Sequence, residues 1–299
     1  MTNTYAPITI PAAVESAMQR GAALVVSISG GKDSQAMLNA MADLHRSQGW
    51  SGPIIALHAD LGRVEWQGDP SIPGFRSAST QVLKMAAAAG VPLQVVRRAD
   101  GRDMIDHWEA RMRKLQGSGK PFWSSSQARY CTSDMKRDPM NSWCRQFTDV
   151  VVCEGLRAQE SPARARKARC EVRTKLATRG RQALTWRPIF DWTQLQVWRA
   201  CGTSWADLRD RRERWAAGDR TALVGWPAAP AYVLGNERLS CSMCVLASRS
   251  DLVNGARYNP STWAEMRRLE ILGNASFRTD ISLLEVGRQA GLVRSLQAA

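Results

Sequence analysis

Residues 22 to 29 (AALVVSIS) form a short, valine-rich apolar run that stops at two glycines, after which Ala36, Met37, Ala40, Met41 and Leu44 recur between Ser34 and His45. A brief apolar run closed by glycine reads as a buried strand, and the spacing after it as one face of a helix. Ile54 to His58 and Leu93 to Val96 repeat the strand signal, Gln81 to Ala89 gives a helix between them, and Asp149 to Cys153 (DVVVC) is a fourth strand. Such alternation predicts an α/β fold, a parallel sheet with flanking helices. Beyond about Trp186 the strand pattern fades into Trp- and Arg-rich helical segments: Trp192 to Cys201, Trp205 to Ala217 and Ser261 to Leu272. The pattern therefore divides the chain into a sheet-forming part, residues 1–187, and a smaller, mostly helical part, residues 188–299.

Parallel sheets bind ligands beyond the carboxyl ends of their strands. Here those ends carry SISGGKDS, HADLG and CEGLRAQES, three polar stretches that converge on one cleft. In Ser29-Gly30-Gly31-Lys32-Asp33-Ser34 the two glycines let backbone N–H groups approach a phosphate, and the helix that follows adds its positive end. The spacing is not that of a Walker A loop. A plain strand-to-helix turn with Asp33 as cap needs neither the lysine nor the two serines.

Composition narrows the setting. Of 299 residues 44% are hydrophobic and 23% charged, so a wholly disordered chain is excluded, and no apolar run approaches a membrane span. No basic residue precedes an apolar core in Met1 to Gln19, so the expectation is a cytoplasmic protein without a secretory signal or membrane contact. The 41 Lys and Arg against 27 Asp and Glu leave a net charge of +14, which makes phosphate-rich partners plausible. From Arg157 to Arg187 ten Lys and Arg face only Glu160 and Glu171. That run reads as a nucleic-acid track, a solvated loop or a lid over phosphates. Among the twelve tryptophans Trp186, Trp198 and Trp215 stand beside basic residues; base stacking is one use for them, and helix packing a cheaper one.

Seven cysteines in a reducing compartment leave buried thiols, a metal site or redox chemistry. Cys241-Ser-Met-Cys244 has the spacing that lets two thiolates share a metal or cluster, and Cys131 in RYCTSDMKRDP offers a third thiol. Cys144, Cys153, Cys170 and Cys201 each read as a small buried side chain, with a fourth ligand among them as the alternative.

The loop resembles the SGGxDS motif of the PP-loop ATP pyrophosphatases, an adenine nucleotide alpha hydrolase-like fold that splits ATP between its α and β phosphates. His58-Ala59-Asp60-Leu61-Gly62, the G-x-R-x-x-E-S-x-x-R pattern of Gly155 to Arg164, and Trp186-Arg187-Pro188-Ile189-Phe190-Asp191-Trp192 resemble segments of the phosphoadenylylsulfate reductase-like branch. The segment around Cys131 resembles the cysteine-bearing segment of iron-sulfur adenylylsulfate reductases, where two adjacent cysteines stand instead of one. The resemblance implies ATP and Mg2+ bound by Ser27, Ser29, Gly30, Gly31, Ser34, His58, Asp60, Gly155, Glu160 and Arg164. Lys32, Asp33 and Arg157 take catalytic roles, and Cys131, Cys241 and Cys244 hold a 4Fe-4S cluster. Val245 to Ala299 contains no cysteine, unlike the tail of thiol-dependent sulfonucleotide reductases. Within the branch the chain looks most like the ATP pyrophosphatases of the Dnd and Ssp systems, which implies DNA phosphorothioation with a cysteine desulfurase as sulfur donor. Sulfonucleotide reduction, tRNA thiolation and a non-enzymatic DNA-binding role are the alternatives, and a homo-oligomer is compatible with all of them.

Overall fold

A computed structural model describes residues 5–293. The four expected strands form: β1 (Ala23–Ile28), β2 (Ile54–Ala59), β3 (Leu93–Val96) and β4 (Asp149–Cys153). Two more, β5 (Cys170–Val172) and β6 (Gln182–Trp186), complete a six-stranded sheet in the order β3-β2-β1-β4-β6-β5. All neighbours are parallel except β5, which returns antiparallel along β6. The fold class is therefore the expected α/β one, with helices flanking the sheet and, among the described residues after Trp186, helices only.

The strands hold because both faces are covered. Leu24, Val25 and Val26 of β1 and Val150 and Val151 of β4 have no measurable exposure, and each such side chain contributes roughly 1.5–3 kcal/mol. One face packs on the helix Lys32–Ser47 through Ala36, Met37, Ala40 and Met41. The other face packs on the helix Asp138–Cys144 through Met140 and Cys144, and the C-terminal helices extend the same core through Leu252, Met266, Leu269 and Val286. Residues beyond 188 thus complete the core of the sheet.

β1 lies between β2 and β4, so the chain leaves it in one direction and later returns on the opposite side. Such a switch point opens a crevice beyond the strand ends. Ile28 and Cys153 end there, and the glycine loop follows Ile28.

The cation-rich run is the part that differs from expectation. It is neither a wholly solvated loop nor a free lid, since β5 and β6 are built from it. Arg173 donates to Asn141, Glu154 and Thr185, and Arg187 is buried against Ala168 O, Glu154 and Glu171. Trp186, Trp198 and Trp215 are buried, so packing and not stacking on bases accounts for them.

Candidate active site

The glycine loop is closed by its own serines. The Ser34 hydroxyl donates to Gly31 O at 2.9 Å and accepts the Ser29 N–H at 3.2 Å. Gly30 takes φ = +81°, a conformation that disfavours a Cβ. Gly155, leaving β4, passes so close that a Cβ would stand 3.3 Å from the backbone of Asp33 and Ser34. The Lys32 N–H donates to the Tyr232 hydroxyl at 3.1 Å, which ties the loop to the C-terminal part. The remaining amides of the first helical turn have no acceptor within the helix and suit an anion.

Lys32 and Asp33 are held in a buried ion network. Lys32 Nζ lies 2.9 Å from Asp33 Oδ2 and over the rings of Tyr232 and Trp198, while Arg157 Nε donates to Asp33 Oδ1. Burial pushes the Asp33 carboxyl up, but Lys32 and Arg157 outweigh it and hold the group below the ordinary carboxylate range. Arg157, itself buried, is thus spent on Asp33 and Gln159, behind the loop. Arg164 instead pairs with Glu160, whose other oxygen accepts the Arg157 N–H.

Two adjoining cavities open here. The smaller, about 230 Å3, is lined by Gly31, Lys32, Asp33, Ser34, Gly155 and Glu160. The larger, about 670 Å3, runs from Ser27, Ser29 and Gly30 past His58 to Cys241 and Cys244. Arg164, Ser27 and Ser29 face both. Of the sequence-derived candidates Asp60, Arg157 and Cys131 line neither. Asp60 is taken by the Gly62 N–H at 2.7 Å and by Arg97. Sequence reasoning missed the C-terminal wall (Tyr232, Arg238, Leu239) and the basic lining formed by Arg129, Lys136, Arg173 and Arg187. Their signals were indirect: Arg129 and Lys136 flank Cys131, and Arg173 and Arg187 belong to the cation-rich run.

At the far end Cys241 and Cys244 sit on a turn whose centre is pinned. Both the N–H and the hydroxyl of Ser242 donate to Val64 O, at 2.8 and 3.0 Å. The half-buried Lys136 reaches this turn, and although burial pushes its ammonium down, Cys241, Cys244, Cys131 and Glu65 outweigh that and raise it. Burial, with neighbouring thiols and Glu65, pushes the Cys241 thiol up to about 12 against the opposing pull of Lys136. The Leu246 N–H donates to Cys244 Sγ at 3.4 Å, as amides do to ligating or ionised sulfur. His58 donates its Nδ1–H to Ile28 O at 3.0 Å, and its Nε2 lies 3.5 Å from Glu65.

The donor set decides how the expected inorganic groups fit. Among the described residues no three His, Cys, Asp or Glu side chains are close enough to hold one metal ion, so the three expected thiols share a neighbourhood without forming a mononuclear site. A polynuclear cluster spaces its thiolates more widely, so thiols that share a neighbourhood without converging on one ion fit it better than zinc. Cys144, Cys153 and Cys201 are buried; Cys201 is spent on Lys32 O. For Mg2+ the fit is poor. Asp33, Glu154 and Glu160, the carboxylates beside the loop, are all paired with Lys or Arg.

Comparison with known proteins adds the following. The family model "Phosphoadenosine phosphosulfate reductase domain" matches residues 23–204. An uncharacterised 37.8 kDa protein of Escherichia phage 186 is 26% identical over 265 positions, covering 76% of this chain and 68% of that protein. Among solved structures, the NAD+ synthetase of Burkholderia pseudomallei is 14% identical with a TM-score of 0.35, covering 77% of this chain and 90% of that one. The U34-tRNA thiolase NcsA of Methanococcus maripaludis with its [4Fe-4S] cluster is 11% identical with a TM-score of 0.37, covering 95% and 86%.

Proposed function

Because the chain belongs to the phosphoadenosine phosphosulfate reductase domain family, we propose that it is an adenine-nucleotide enzyme of sulfur transfer. In this reading it adenylates an anionic oxygen of a nucleic-acid phosphate with ATP, so that sulfur can replace that oxygen. The observation that carries the reading is the continuity of the larger cavity, which has the glycine loop at one end and Cys241 and Cys244 at the other.

The triphosphate lies against the first-turn amides of Lys32–Ser47, with Arg164 at the junction of the two cavities. An acceptor oxygen attacks the α phosphorus, the α–β bridging bond breaks, and pyrophosphate leaves with its electron pair. The acceptor is already anionic, so no general base is needed. A sulfur nucleophile then displaces AMP from the acceptor. Arg157 acts at one remove, by fixing Asp33 and through it Lys32. Cys131, Cys241 and Cys244 are the residues that would hold a 4Fe-4S cluster, which when bound supplies an iron open to sulfide. No step is assigned to Mg2+, since the loop leaves it no free carboxylate. A cysteine desulfurase is the proposed source of sulfur, its persulfide being cleaved by a thiol reductant to the sulfide that displaces AMP, and DNA is the proposed acceptor, with tRNA the alternative.

The test is product analysis with radiolabelled ATP, phosphoadenylylsulfate and a nucleic-acid acceptor. The reading requires AMP and pyrophosphate from ATP, falling at least about 100-fold in Arg164→Ala, within the range for loss of a transition-state donor. Sulfite release from the sulfonucleotide, without ATP turnover, would replace it with reduction. In protein purified without oxygen, Cys241→Ser should remove bound iron; unchanged iron content would refute the cluster.

A further inference from the structure

The ten cations between Arg157 and Arg187 do not behave alike. Arg157, Arg164, Arg169, Arg173 and Arg187 are ion-paired, and Arg181 donates to Phe147 O and Arg145 O. Arg166, Lys167, Lys175 and Arg179 are exposed and, among the described residues, have no carboxylate partner. Arg145 is equally exposed and unpaired. The contacts of Arg181 and the Gln182 N–H bond to Thr148 O set the turn around Arg179 beside it.

These five charges flank the open edge of the sheet. Arg166 and Lys167 precede β5 at the end where Cys170 pairs with Trp186, and Lys167 also lines the larger cavity. Lys175, Arg179 and Arg145 gather at the opposite end, where Gln182 begins β6. A five-residue strand spans about 17 Å. Over that distance one strand of a DNA duplex advances about five steps of roughly 3.4 Å along the duplex axis. The only acidic residue of β5, Glu171, is occupied by Arg187.

We infer that the β5 edge, from Lys167 at the cavity mouth to Lys175, Arg179 and Arg145, is a track for the phosphodiester backbone of a nucleic acid. The strip carries uncompensated positive charge at both ends, one of them at the cavity mouth, which suits an extended chain of anions better than a single small ligand. The location rests on the proposed reading only in that the same strand would carry the acceptor phosphate into the cavity; binding along the strip does not require turnover.

The experiment measures binding of a fluorescein-labelled 20-nucleotide DNA, single-stranded and duplex, by anisotropy from 50 to 200 mM salt. The variant R145A/K175A/R179A should bind at least tenfold more weakly at the lowest salt. Its log K against log salt slope should be shallower by about 2 to 3, as expected for three lost phosphate contacts. R145K/R179K should retain the wild-type slope, because each position needs only a point charge. K114A/K120A/R209A, which removes equal charge elsewhere, should change the slope by less than 1. Equal losses in the two triple variants, an unchanged slope in the first, or no binding by the wild type would each overturn the assignment. Strip-dependent binding without ATP turnover would leave the track standing and remove the catalytic reading; turnover with strip-independent binding would do the reverse.

Discussion

At the glycine-loop end of the larger cavity the side chains are consumed by one another. Ser29 and Ser34 close the turn, Asp33 is shared by Lys32 and Arg157, and Tyr232 takes the Lys32 amide. At the cysteine end it is the main chain that is fixed. Ser242 is anchored on Val64 O, while Cys241, Cys244 and Lys136 still face the cavity. The first arrangement presents backbone amides in a preset shape, which suits a phosphate. The second leaves reactive groups uncommitted on a rigid turn, which suits chemistry or a bound cluster. Pre-organisation is therefore achieved through side chains at one end and through backbone at the other.

Breaking the fixed backbone should cost most. A Cβ at Gly255 would stand 1.7 Å from Ser242 O, so Gly255→Ala should lower stability by about 3 kcal/mol and displace the cysteine turn. Urea unfolding checks the first effect and thiol labelling rates the second. Removing a side-chain brace at the other end should cost less. Arg157→Met leaves Asp33 one partner, Lys32, so the expected loss is about 2 kcal/mol, below the roughly 3–5 kcal/mol for a fully stranded buried charge.

The same substitution sharpens the comparison through pH. Asp33 titrates below the usual 3.8, so its contribution is complete above that pH and disappears as pH falls through the lower folded value. Arg157→Met should move acid unfolding to higher pH. His58 behaves oppositely. Burial lowers its pKa, but Glu65 and the Ile28 carbonyl outweigh that and raise it above 6.5. Its stabilisation is full below pH 6.5 and is lost as pH rises through the folded value. Glu65→Gln should flatten this decline; an unaltered pH profile would mean that the 3.5 Å contact carries no energy.

Local pattern exposed much of this. Strands β1 to β4 are short, apolar and bounded by glycine or polar residues, so their limits were legible to within a residue or so. The glycine loop was legible because a plain turn does not require Lys32 between two serines. β5 and β6 were hidden because their residues are few and lie among cations whose partners, Glu154 and Asn141, are remote in sequence. The burial of Trp186 and Trp198 likewise depends on tertiary contacts that a charged sequence neighbourhood disguises. Tyr232 and Arg238 entered the site from the C-terminal part, about 200 residues beyond the loop, where no spacing rule reaches. The convergence of Cys131 on the Cys241 turn followed from resemblance alone; its displacement from the cavity wall did not.

The central claim is that one cavity joins the glycine loop to the cysteine pair. Its most direct test is the rate of iodoacetamide labelling of Cys241 and Cys244 in metal-free protein, with and without saturating α,β-methylene-ATP, using the partly exposed Cys170 as an internal reference. A shared cavity predicts that the bound nucleotide slows labelling of both cysteines and leaves Cys170 unchanged. Labelling of Cys241 and Cys244 at the same rates with and without nucleotide, with nucleotide binding verified in the same sample, would contradict it.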